Sequence, residues 1–132
     1  MKKNVQSITF TNYGYLDFTL NLLESIKINN IDLDLLVYCT DKKSFEYLSK
    51  SNNNCILLDS KLSQNKKATS WKAGNSAFGE MMISKFESIF DGLSKNDYVL
   101  YIDGDIVIKE NILEYLENEI EENDFLFQLD YN

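Results

Sequence analysis

Three short runs, Leu35–Cys39, Cys55–Leu58 and Tyr98–Ile102, are apolar or aromatic almost throughout, and that feature limits the fold more than any other. A strand with one wet face alternates apolar and polar residues, whereas a strand apolar on both faces needs cover on both, as in a parallel sheet layered between helices. The intervening segments supply the helices. After a first strand at Val5–Phe10, the stretch Tyr15–Ile28 places Leu16, Leu20, Leu23 and Ile26 or Ile28 at spacings of about 3.6, and Asn29-Asn30 ends it. Lys42–Lys50 carries Phe45 and Leu48 on one side of a short helix. Ala77–Leu93, capped by Asn75 or Ser76, has an apolar stripe of Phe78, Met81, Met82, Phe86, Ile89, Phe90 and Leu93. A short helix at Glu110–Glu119 and a last strand at Phe125–Phe127 follow, and the acidic run Glu117–Asp124 reads as a solvated helix end and turn. Strand alternating with helix is the pattern of right-handed crossover units, so the expected class is α/β, a mostly parallel Rossmann-like sheet flanked by helices. At 132 residues and 44% hydrophobic the chain can bury a core, and residues 1–132 are expected to form one domain.

Composition removes several chemistries. The chain has 13 Lys but no Arg, His or Pro, and its Asn, Lys and Ile content suggests an AT-rich genome. Without histidine there is no imidazole base, no Ser–His pair and no His metal ligand, so catalysis must use carboxylates, Lys, Tyr, Cys or a bound ion. A net charge of −8 argues against nucleic acid as a partner, since that needs basic surface. Cys39 and Cys55 have no CxxC spacing and read as core thiols in a reducing compartment. No apolar run approaches the roughly 18 residues of a transmembrane span, and no signal peptide pattern is visible, so the chain is expected to be soluble and cytoplasmic.

The third apolar run drives into Asp103-Gly104-Asp105 and then Ile106-Val107-Ile108. Asp-Gly between apolar runs also signals a tight β-hairpin, but the preceding elements are crossover units, not antiparallel partners. In open α/β sheets ligands collect beyond the carboxyl ends of strands, where two carboxylates at i and i+2 form a hard oxygen site for Mg²⁺ or Mn²⁺ and phosphate. Gly104 would let the backbone turn and give a ligand room. Lys85 falls within the apolar stripe of its helix, where it either snorkels or meets an anion, a phosphate or the Asp pair. Thr11, Asn12 and Tyr15 follow the first strand, either capping the next helix or reading a nucleobase. The polar stretch Asp59–Asn75, with Lys61, Lys66, Lys67 and Lys72, is a long loop that reads either as a basic lid or as a solvated insertion.

Thr11-Asn12-x-x-Tyr15 after the first strand, a helix carrying Lys85, and the run from Tyr98 through Asp103-Gly104-Asp105 to Ile108 together resemble GT-A-fold nucleotide-diphospho-sugar glycosyltransferases, glycogenin-like enzymes included. The likeness covers nearly the whole chain. It implies a metal-dependent transferase whose donor partner is a nucleotide-sugar, a UDP-sugar in particular. Thr11, Asn12 and Tyr15 would contact the uracil end and Lys85 the nucleotide-sugar. Asp103 and Asp105 would be catalytic and would bind Mn²⁺ (or Mg²⁺) bridging the diphosphate, with Phe10 and Gly104 adding backbone contacts. The glycogenin-like resemblance leans to retention of configuration. It fits the nucleotide-binding half of such enzymes, which add acceptor-binding residues and a further metal ligand, often His. The chain is therefore read as a fragment, or as a minimal or degenerate member; transfer of the sugar to a glycan or protein acceptor is the main expectation, and a non-catalytic fragment that only binds the nucleotide-sugar is the alternative. A Mg²⁺-binding receiver-like signalling domain is the rival, weakened because the first strand ends in Thr11-Asn12 without acids.

Overall fold

Strands β1 (Val5–Thr11), β2 (Leu35–Cys39), β3 (Cys55–Leu57) and β4 (Tyr98–Tyr101) pair in parallel in the order β3-β2-β1-β4. The computed structural model describes residues 3–58 and 76–129, and the sheet is given for those residues. The predicted basic loop Asp59–Asn75, including a cap at Asn75, lies outside them. Helices α1 (Leu16–Ile28), α2 (Lys42–Lys50), α3 (Ser76–Leu93) and α4 (Ile112–Glu122) make the expected α/β alternation.

Register assigns the two faces. Ser7 pairs with Leu35 and Leu100, and Ile8 with Leu36 and Tyr101, so odd and even positions of β1 look to opposite sides. On one side Leu16, Val37, Cys39 and Leu48 pack as one cluster under α1 and α2. Leu22, Ile26, Leu35, Ile102 and Ile108 form a second, closed by Ile112 and Leu113 at the start of α4. On the other side lies α3, tied by the Tyr38 hydroxyl donating to Asp91 Oδ2 at 2.7 Å.

The crossover turns are set by asparagine. Helix α1 ends with Asn30 at φ 50°, and the Ile31 and Asn30 amides return to the carbonyls of Ile26 and Lys27. Helix α2 ends in the same way at Asn52 (φ 56°), with Asn53 and Asn52 bonded back to Leu48 and Ser49. Both are Schellman endings in which Asn takes the left-handed position usually held by Gly. Asp41 starts α2, its Oδ1 accepting from the Ser44 amide at 2.7 Å while Oδ2 accepts from Tyr13 at 2.8 Å.

Three expectations are corrected. The stripe of α3 does not face the sheet as a unit: Phe86, Phe90 and Leu93 are exposed, and the buried positions are Ser84, Ser88 and Gly92. Small residues are needed there because a Cβ on Gly92 would stand 2.8 Å from Val99 Cγ2. Met81, Met82 and Ile89 are partly buried, and the side chain of Phe78 lies outside the described set. Helix α4 starts after Asn111, whose Oδ1 caps the Leu113 amide at 3.1 Å, and takes in Glu117–Glu122. Phe125–Phe127 forms no strand: a strand exists by its ladder, and no partner lies beside it among the described residues. Its two phenylalanines pack edge to face at 4.2 Å and stay exposed.

Candidate functional site

β1 is followed along the chain by β2 on one side, while β4 joins it on the other, so the strand order reverses between β1 and β4. Ligand crevices of open α/β sheets form at that reversal, outside the carboxyl ends of the strands. A cavity of about 220 Å³ opens there. The end of β1 contributes Phe10, Thr11, Asn12 and Tyr15, and the end of β4 contributes Asp103, Gly104 and Asp105, with Lys85 reaching in from α3. All eight candidate residues therefore line one space.

They do different things within it. Thr11 is buried, receives a hydrogen bond from the Thr19 hydroxyl at 2.8 Å and donates to the Asn12 carbonyl. Asn12 Oδ1 accepts from the Tyr15 amide at 3.0 Å, so the capping role weighed for this pair is realised alongside its place in the wall. Asn12 opens a single 3-10 turn, Tyr13–Tyr15, that feeds directly into α1.

Gly104 earns its place by close approach. A Cβ there would meet Tyr15 Cε1 at 3.2 Å and Thr19 Oγ1 at 3.4 Å, and the backbone is not left-handed. The room left by the missing side chain is thus filled by the start of α1 rather than held open for a ligand. The Tyr15 ring leans on Phe18 at 4.9 Å. Burial, the Asp105 charge, a hydrogen bond to that carboxylate and the charge of Asp103 push its hydroxyl up to about 12. The Tyr101 hydroxyl is driven strongly up by burial first, then by the Asp103 charge and a hydrogen bond to it. Both phenols are neutral donors beside the carboxylates.

Lys85 resolves its two readings in favour of an anion, for its Nζ lies 3.2 Å from Asp103 Oδ1 and 4.1 Å from the centroid of the Tyr101 ring. The Lys85 side chain is 27% exposed and that of Asp103 61%, so solvent screens the pair to at most about 1 kcal/mol. The hairpin alternative for Asp103-Gly104-Asp105 fails, because β4 pairs in parallel with β1 and Ile106-Val107 continues as exposed irregular chain. Ile108 then turns inward, its amide bonded to Ser25 Oγ at 3.0 Å.

Three cavity residues were not among the candidates: Met81, Met82 and Tyr101. The methionines sit three and four positions before Lys85 on α3, a spacing that places them on its side of the helix. Tyr101, by contrast, is one aromatic among several in an apolar run, and nothing local marks it. No three His, Cys, Asp or Glu side chains converge among the described residues. Asp103 and Asp105 fit an ion of the Mg²⁺ or Mn²⁺ kind, which takes one or two carboxylates and completes its shell with water and phosphate oxygens.

The sequence pattern that defines the nucleotide-diphospho-sugar transferases matches residues 31–132. The chain is also similar to the UDP-galactose:fucoside alpha-3-galactosyltransferase of Dictyostelium discoideum, at 26% identity over a 148-residue alignment that covers 95% of this chain. It spans 23% of that protein's length. No helix among the described residues is long and apolar enough to cross a membrane.

Proposed function

The chain belongs to the nucleotide-diphospho-sugar transferase family, and from that premise we propose that it binds a UDP-sugar in the cavity between β1 and β4 and transfers the sugar to an acceptor in a metal-dependent reaction. The observation that carries this reading is the meeting of two carboxylates and one ammonium, Asp103, Asp105 and Lys85, at the point where the strand order reverses. The UDP-galactose in the relative's name favours uridine over other bases.

Each residue has a task its chemistry suits. Phe10, Thr11, Asn12 and Tyr15 form the wall toward which the nucleoside is directed. Lys85 presents a positive charge to the diphosphate, stabilising the charge that builds as the bond to the sugar breaks. Asp103 and Asp105 would hold Mn²⁺ or Mg²⁺, and Gly104 lets the turn between them seat against Tyr15. When bound, the ion supplies Lewis-acid neutralisation of the departing diphosphate. None of this chain's own residues supplies an imidazole base, since it contains no histidine. The receiver-like alternative falls with the family assignment.

Calorimetric titration of UDP, UDP-glucose, UDP-galactose and GDP-mannose, with and without Mn²⁺, tests the reading. The expected result is uridine-selective binding that needs metal and weakens at least about tenfold in Asp105→Ala. If no nucleotide binds in the presence of Mn²⁺, the reading is wrong. If Asp105→Ala binds as well as the native chain, the metal ligands lie elsewhere. Binding without release of sugar to any glycan acceptor would leave a nucleotide-sugar-binding domain.

A further inference from the structure

Asp103 already has a cation, and that cation comes from a different element than the one that carries the carboxylates. We propose that Lys85 holds the metal's place at Asp103 until a diphosphate arrives, so that metal and nucleotide bind cooperatively through release of one ion pair. This rests on the proposed assignment of Asp103 and Asp105 to metal and of the cavity to a nucleoside diphosphate.

The geometry supports it in three ways. Lys85 is the more enclosed partner, 27% exposed against 61% for Asp103. It lines the cavity together with Met81 and Met82, and its Nζ lies 4.1 Å from the Tyr101 ring centroid. A lysine head so placed has given up part of its hydration and depends on a nearby anion. Asp103 Oδ1, at 3.2 Å, is that anion.

A divalent ion approaching Asp103 alone therefore meets a like charge on the same carboxylate. To bind, it must displace the ammonium and leave Lys85 without its anion. A diphosphate changes both terms, because it offers Lys85 a replacement anion and offers the ion further oxygen ligands. Each ligand then tightens the other by the same factor, as linkage requires. In a chain of net charge −8, the device also weakens binding of bare divalent cations at the site in the absence of nucleotide.

The test measures free Mn²⁺ by electron paramagnetic resonance, with and without UDP, and UDP binding by calorimetry. Native chain is compared with Lys85→Met, Lys85→Gln, Lys85→Arg and Lys95→Met; Lys95 pairs with Asp91 at the far end of α3. In the absence of UDP, both neutral Lys85 variants should bind Mn²⁺ about two- to fivefold tighter than the native chain. UDP should tighten their Mn²⁺ binding by a smaller factor. Lys85→Arg keeps the charge and should bind Mn²⁺ less tightly than the neutral variants, and Lys95→Met should match the native chain without UDP. Equal Mn²⁺ affinity in the native chain and the neutral variants, with metal-dependent UDP binding intact, overturns the place-holding role alone. An equal gain in Lys95→Met overturns it too, since bulk charge would then explain the effect. Absence of UDP binding to the native chain at any Mn²⁺ concentration removes the nucleotide assignment itself.

Discussion

Gly104 is where the site is tightest, and its role is steric. A methyl at this position would press on Tyr15 at 3.2 Å, and that ring is itself backed by Phe18. Gly104→Ala should therefore cost about 1 kcal/mol of stability by denaturant unfolding. It should also weaken metal-dependent UDP binding by shifting Tyr15 and the turn that carries both carboxylates. Unchanged UDP affinity would show that Tyr15 is not part of the binding wall. At this scale the sequence was informative wherever chemistry was local. Asp103 and Asp105 announce themselves by spacing after an apolar run, and Lys85 by sitting in an apolar stripe. What spacing could not say was which anion Lys85 meets, because Asp103 is 18 residues away and reaches it across the sheet edge. Tyr101 was invisible for the same reason, since its part in the site depends on packing against that lysine.

Among the elements, α3 shows how a periodic pattern can mislead about its own buried face. Met81 and Met82 line the cavity and Phe86, Phe90 and Leu93 are exposed, while Ser84, Ser88 and Gly92 meet the sheet. The reason lies in the opposing surface: Ile8, Tyr38, Val99 and Tyr101 already fill the space, so the helix can come close only through small side chains. Gly92→Ala tests this directly. Alanine favours a helix by up to about 1 kcal/mol over glycine, yet overpacking costs about 1–3 kcal/mol. With a Cβ at 2.8 Å from Val99 Cγ2 the clash should win, lowering the melting temperature by about 4 °C. Val99→Ala in the same chain should recover part of that loss, a non-additivity that a double-mutant cycle would measure. The Asn29-Asn30 break after α1 was legible in the sequence, whereas the Schellman geometry there and the matching ending at Asn52 after α2 were not. The last strand was misread because its hydrophobicity is local but its ladder is not.

For the molecule as a whole, the tyrosines set an alkaline limit. Tyr15 is pushed up to about 12, with Tyr38 and Tyr101 also raised, burial being the largest cause in each. An unfolded tyrosine ionises near 10, so the folded state favours the neutral phenol. That contribution is intact below pH 10 and is lost as pH climbs from 10 through the folded values. Melting temperatures from pH 8 to 11 should hold level and then fall, with the 295 nm phenolate absorbance of the folded chain rising less than eight free tyrosines would give. A full phenolate rise at pH 10.5 without unfolding would contradict the buried environments. Local sequence pattern by itself determined the α/β class, the strand and helix boundaries through β3 to within a residue, and the position of two carboxylates just after an apolar strand, because burial on both faces, helical period and motif spacing are all properties of neighbours in sequence. Only the tertiary structure decided that Thr11, Lys85, Tyr101 and Asp103 share one cavity and that small residues of α3 face the sheet. Those facts arise from the β3-β2-β1-β4 order and from the volume facing each side chain, and both are set by segments far apart along the chain.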